Sequence, residues 1–195
     1  MSKAQETREK ILREAAALFN QYGYSGSSMS DIMRVTGLQK GGIYNHFKSK
    51  DELALQAFDF AVECTRKQFI MVLKGKHNSV DRLKAVISLF SNLAENPPIP
   101  GGCPLLNTAI ESDDAHPALR QRVQIAMDGW RALICNIINK GIAKGEVRET
   151  VEADVIATIV ISTLEGAVMM SKLYGDTIHI KRAIEHLHGY LDSQL

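Results

Sequence analysis

Between Ile32 and Lys50 the chain carries four cations, Arg34, Lys40, Lys48 and Lys50, and no aspartate or glutamate, although its whole balance is only +1. Lys40, Gly41, Gly42, Tyr44, Asn45 and His46 crowd the same stretch. Ammonium, phenol, amide and imidazole groups are donors suited to phosphate oxygens and base edges. The adjacent glycines are the odd feature, because each costs a helix interior about 0.8–1 kcal/mol against alanine. A helix that enters a DNA groove brings its N-terminal residues to the bases. Glycines there let the backbone come close, with Lys40 and Tyr44 holding phosphates on the flank. A solvated basic face is the plainer reading, but it explains neither the glycine pair nor the aromatic.

Local signals supply the elements that must position these residues. Ile11, Ala15, Leu18, Phe19 and Tyr22 form one apolar stripe that Gly23 closes. Ser28 and Asp31 make an aspartate version of the capping box for a short second helix, with Ile32 and Val35 inward and Gly37 in a left-handed turn. A third helix follows, burying Ile43 and Phe47 and aligning Lys40, Tyr44 and Lys48 on one stripe. Ser49 to Glu52 cap a fourth helix that runs to about Lys74. Three helices with a glycine turn between the second and third make a helix-turn-helix domain.

Further stripes follow at Leu83, Val86, Ile87, Phe90 and Leu93, then at Leu119, Val123, Ala126, Trp130, Leu133 and Ile137. Gly141 and Gly145 are expected to stop the latter helix. Val155 to Leu173 is apolar almost all round and needs cover on several sides, and Ile184, Leu187 and Leu191 mark a last helix. No strand-like alternation appears. The fold class is all-α: an N-terminal three-helix DNA-binding domain over residues 1–50, then a larger helical ligand-binding and dimerisation domain over 51–195.

Composition narrows the class. Hydrophobic content of 45% and charged content of 23% are ordinary for a globular protein. Cys64, Cys103 and Cys135 show neither disulfide nor zinc spacing. The polar start predicts a cytoplasmic protein, and Thr158 and Glu165 make the aliphatic stretch too short for a bilayer. Without a nucleophile–base pair, metal spacing or phosphate loop, no catalytic residue, metal ligand or cofactor is expected.

From Phe19 to Leu53 the chain resembles the DNA-binding domain of the TetR/AcrR family of bacterial transcriptional regulators. Phe19, Gly23, Ser28, Gly37, Lys40-Gly41, Tyr44, His46-Phe47 and Ser49-Lys50 carry the likeness. The resemblance implies phosphate contacts from Ser28 and Tyr44 and added charge from Lys40 and Lys48. It implies an approach to the bases by Ser30, Gly42 and Asn45. Many members have a hydroxyl residue where Gln39 and Gly42 stand here. It further implies a homodimer through the last two long helices, a pseudo-palindromic double-stranded DNA operator and a small-molecule effector. The alternative is a helical protein-interaction module that has lost specific DNA binding.

For the effector, Phe69, Phe90, Leu105, Trp130 and Met169 either line a pocket or are plain core. Glu165 on its apolar helix needs a partner, serves a ligand or faces a groove. Pro104 suits a first helical position and puts Cys103 at the cap, where a thiol can be acidified and sense electrophiles or oxidants, or simply pack as a small residue. His186 and His188 do not share a helix face, and Asp113, Asp114 and His116 read as a turn before a helix.

Overall fold

The computed structural model describes residues 2–112 and 115–195, so Asp113 and Asp114 of the acidic turn lie outside the described residues. Among the described residues it is all-helical: α1 Lys3–Tyr22, α2 Met29–Thr36, α3 Lys40–Tyr44, α4 Lys50–Leu73, α5 Ser79–Glu95, α6 Pro104–Ser112, α7 Pro117–Ala143, α8 Ala153–Tyr174 and α9 Ile178–Gln194. Two compact units form, one from Met1–Thr65 with Pro98–Ile125, the other from Arg66–Pro97 with Ala126–Leu195.

In the first unit, Ile11, Ala15 and Leu18 of α1 meet Ile32, Ile43 and Phe47, with Leu53, Ala57 and Ile99 closing the core. Tyr22 does not join the stripe as expected; it is 65% exposed, and Leu12 and Ala16 bury instead. The α2–α3 turn is tied down from several directions. Gly37 is left-handed (φ 69°, ψ 17°) and donates its N–H to the Met33 carbonyl. Lys10 Nζ reaches the Thr36 carbonyl at 2.8 Å, a cation at the negative end of α2.

The second unit packs α8 and α9 together and α5 against both. Leu83, Ile87, Ile134, Ile138, Leu164, Ile180 and Leu187 fill its centre. Gly141 does not stop α7. It lies inside the helix, where a Cβ would come within 2.6 Å of Val147 Cγ2 and 2.8 Å of Ser79 Cβ. The chain turns away only at Gly145, after Ala143. The aliphatic stretch is also longer than the sequence suggested. With 22 residues, α8 is long and apolar enough to cross a membrane by length and composition, because Thr158 and Glu165 continue the helix instead of ending it. Here it packs against α5 and α9, with Ile156, Val160 and Leu164 buried. Its opposite side is open among the described residues, with Leu173 72% exposed beside Val155, Met169 and Met170.

Candidate nucleic-acid interface

Ile43 and Phe47, each 1% exposed, fix α3 against the first core. Arg8 stacks over the Phe47 ring at 5.2 Å and hydrogen-bonds Gln56, clamping that ring from α1. With the inner face fixed, Lys40, Gly41, Tyr44 and Asn45 are exposed, and Gly42 and His46 are half-buried. Lys40 Nζ lies 5.6 Å from the centre of the Tyr44 ring, so charge and phenol share one patch.

The expected stripe of Lys40, Tyr44 and Lys48 is shorter than a helical wheel makes it. Regular α3 ends at Tyr44. The turn continues through the Phe47 N–H to the Ile43 carbonyl at 3.1 Å, and Lys48 already belongs to the start of α4. Ser49 Oγ accepts from the Glu52 N–H at 3.0 Å, while Glu52 Oε2 accepts from Lys48 N at 2.7 Å. The reciprocal bond thus goes to the residue before the cap, which anchors the Lys48 backbone and leaves its side chain exposed.

The cation count also overstated the free charge. Arg34 pairs with Asp31 at 3.1 Å. Lys50 Nζ donates to the Tyr24 carbonyl at 2.6 Å and sits 4.0 Å over the Tyr24 ring. Lys40, Lys48 and the Asp31-paired Arg34 are exposed, while Lys50 is half-buried.

At the start of α2 the box is complete. Ser28 Oγ accepts from the Asp31 N–H at 3.2 Å and donates to Asp31 Oδ2 at 2.6 Å, while the Ser28 N–H donates to the same oxygen at 3.0 Å. The Ser28 side-chain and backbone bonds, with help from Arg34, lower the Asp31 carboxyl from 3.8 to about 2. A depressed carboxylate stabilises the fold above its ordinary pKa and loses that contribution as the proton returns. The Ser28 amide resonance is therefore expected to hold steady from neutral pH down to about 3.8 and to lose its capped position as pH falls through about 2. A shift centred near pH 4 or above would refute the box as the dominant cause.

Sequence reasoning missed Tyr24 and Glu111, which organise the turn before α2. Glu111 Oε2 accepts from Tyr24 N and Oε1 from Ser25 N, both at 2.8 Å. The carboxylate fits so closely that a Cβ on Gly23 (φ 79°) would lie 2.7 Å from it. Tyr24 hydrogen-bonds Asp51, and His116 meets its ring edge-on at 4.9 Å. Burial, then the bond to Asp51 and its charge, raise the Tyr24 phenol from 10.0 to about 12. Nearby, Asn20 Nδ2 donates to the Pro100 and Gly102 carbonyls at 2.9 and 3.0 Å. Partners about 80 to 90 residues apart leave no local pattern to find.

The other expected site residues fall in both units. Phe69, Phe90 and Trp130 come together in the second unit: Phe90 stacks on Trp130 at 5.3 Å and 12°, with Phe69 6.2 Å from both. Glu165 is buried on α8 and Met169 is exposed on it. Cys103 and Leu105 belong to the first unit. Cys103 is the cap of α6 as expected, its carbonyl accepting from Asn107 N at 3.1 Å. His188 Nε2 lies 3.1 Å from Ser88 Oγ while His186 is exposed, so these histidines diverge.

Comparisons with known proteins match this arrangement at both ends of the chain. Residues 11–57 match the family "Bacterial regulatory proteins, tetR family", and residues 79–187 match "Tetracyclin repressor-like, C-terminal domain". The crystal structure of a TetR transcriptional regulator from Chloroflexus aurantiacus J-10-FL superposes with a TM-score of 0.96 at 49% identity, covering 100% of this chain and 98% of that one. A TetR-family regulator from Cytophaga hutchinsonii gives 0.91 at 32% identity, covering 100% and 97%. The HTH-type transcriptional repressor DhaR of Mycobacterium sp. (strain GP1) is 24% identical over 167 residues, 85% of this chain and 82% of DhaR. With a helix-turn-helix whose α3 face is exposed and both family domains matched in order, the chain belongs to the TetR/AcrR family of DNA-binding transcriptional regulators, not to an enzyme class.

Proposed function

We propose that the chain is a cytoplasmic, dimeric repressor that leaves a pseudo-palindromic operator when a small molecule binds. Residues 1–50 carry the DNA contacts, and residues 51–195 carry effector binding and dimerisation. The carrying observation is the α3 face: Lys40, Gly41, Tyr44 and Asn45 are exposed on a helix whose other side is locked by Ile43 and Phe47. Lys40, Lys48 and Tyr44 hold phosphates, while Asn45, Gly41, Gly42 and Ser30 approach base edges and His46 flanks them. Ser28 has committed its hydroxyl proton to Asp31, so it serves DNA first by fixing α2. Lys50, engaged with Tyr24, acts through the turn it holds.

The dimer forms through α8 and α9. Val155, Met169 and Leu173 leave an apolar side of α8 open, and α9 presents an exposed face with Arg182, Glu185, His186, Gly189 and Ser193. A Cβ on Gly166 or Gly189 would meet nothing within 4 Å, which supports close approach by a second helix pair. Met169 suits this surface better than a pocket. Phe69, Phe90, Trp130 and Glu165 remain the effector candidates in the second unit.

The test is fluorescence anisotropy on the DNA upstream of the chain's own gene, against salt and a panel of apolar and electrophilic compounds. Phosphate-mediated binding must weaken steeply with salt, whereas a protein-interaction module would show no such binding on genome-wide selection. Lys40→Ala and Tyr44→Phe are expected to weaken operator and unrelated DNA by similar factors. Asn45→Ala should narrow the gap between them by about 1–3 kcal/mol. The reverse pattern would overturn the roles.

A second reading rests on Cys103 at the start of α6, with Leu105 two residues further on. In it, electrophiles or oxidants act at that thiol. If Cys103→Ser leaves DNA release by such reagents unchanged, that route is wrong.

A further inference from the structure

We propose that the effector is a neutral, planar apolar compound carrying one hydrogen-bond acceptor oxygen, and that this oxygen takes the indole N–H of Trp130. The proposal rests on the effector-released reading above and gives it a chemical class. Trp130 is only 8% exposed, and its Nε1 has no hydrogen-bond partner among the described residues. An indole nitrogen is a donor only, so what it lacks is an acceptor. Leaving a buried donor unmet is costly, and native interiors rarely do so without a functional reason.

The surroundings define the rest of the ligand. Phe90 covers one face of the indole at 12°, and Phe69, itself half-buried, lies tilted at 37° to it. A planar apolar body packs on such rings in offset or edge-on geometry. A lone water would fit poorly: it needs two to four polar partners, whereas the ring neighbours of the indole are Phe69 and Phe90. A carbonyl or ether oxygen needs only the one donor.

The charge is set by the same core. Among the described residues no lysine or arginine is buried, and the buried ionisable side chain is Glu165. A carboxylate ligand would enter with no buried counter-charge, so a ketone, aldehyde, ester or amide is favoured over an acid.

Trp130 is the single tryptophan of the chain, so a ¹H–¹⁵N spectrum has one indole resonance and reads this atom alone. The probes are acetophenone and α-methylstyrene, which share a shape and differ in the acceptor oxygen. Acetophenone is expected to move the indole resonance saturably and to bind about tenfold or more tightly than α-methylstyrene in calorimetry. In Trp130→Phe the two should come within about twofold of each other. An unmoved indole, or equal affinities in the wild type, overturns the proposal; both are read without any substitution, so the result stands whether or not the variant folds. Operator anisotropy run in parallel separates the two claims. Acetophenone that moves the indole but leaves DNA bound supports the site and counts against the effector reading. A compound that releases DNA with the indole unmoved supports that reading and overturns this site.

Discussion

Phe47→Ala is expected to destabilise the first unit by about 3–5 kcal/mol in urea unfolding followed by circular dichroism, and to abolish operator binding under conditions where the wild type is saturated. The ring is 1% exposed and packs with Ile11, Ile43 and Leu53. It also receives the Arg8 guanidinium at 5.2 Å. Truncation therefore removes a core side chain, a cation–π contact and the anchor of the turn after α3 in one change. Phe47→Leu should keep most of the volume and cost less than half as much. If alanine costs under about 1 kcal/mol, the core described around α3 is wrong.

Gly41→Ala should move stability and function in opposite directions. A Cβ at Gly41 would meet nothing within 4 Å, and one at Gly42 would meet Leu38 Cβ at an ordinary 3.6 Å. Neither glycine has a positive φ. Nothing inside the protein requires them, so alanine should raise unfolding stability by about 0.5–1 kcal/mol at either position. Operator affinity should nevertheless fall by about tenfold or more for Gly41→Ala, because the methyl occupies the space the DNA backbone or a base edge would take. Urea unfolding and anisotropy on the same preparation check both signs. A variant that is more stable and binds equally well would remove the close-approach explanation for the glycine pair.

What was legible in the sequence was local. The Ser28–Asp31 box, Gly37 in its left-handed turn, Pro104 opening α6, and Ile43 with Phe47 facing inward all involve partners within four residues or a simple helical period, and each appears as expected. Charge was harder, because a count has no direction: Lys50 turns inward to Tyr24 and the exposed Arg34 is paired with Asp31, although both sit in the same basic stretch as Lys40. A helical wheel likewise placed Lys48 on the stripe of Tyr44, but capping at Ser49 ended that helix early. The Glu111 carboxylate on Tyr24 and Ser25 was invisible, since nothing near either end of that contact announces the other.

The division of the first unit between residues 1–65 and 98–125 has a consequence during synthesis. The helices that carry the α3 face leave the ribosome early, but Ile99, which closes their core, and Glu111, which ties their turn, follow only after the intervening segment has emerged. At about 5–20 residues per second, the head waits several seconds with part of its apolar surface uncovered. A nascent or truncated chain ending near residue 65 should therefore be a substrate for chaperones and proteases, and the regulator gains a complete DNA-reading head only once the chain has grown past α6.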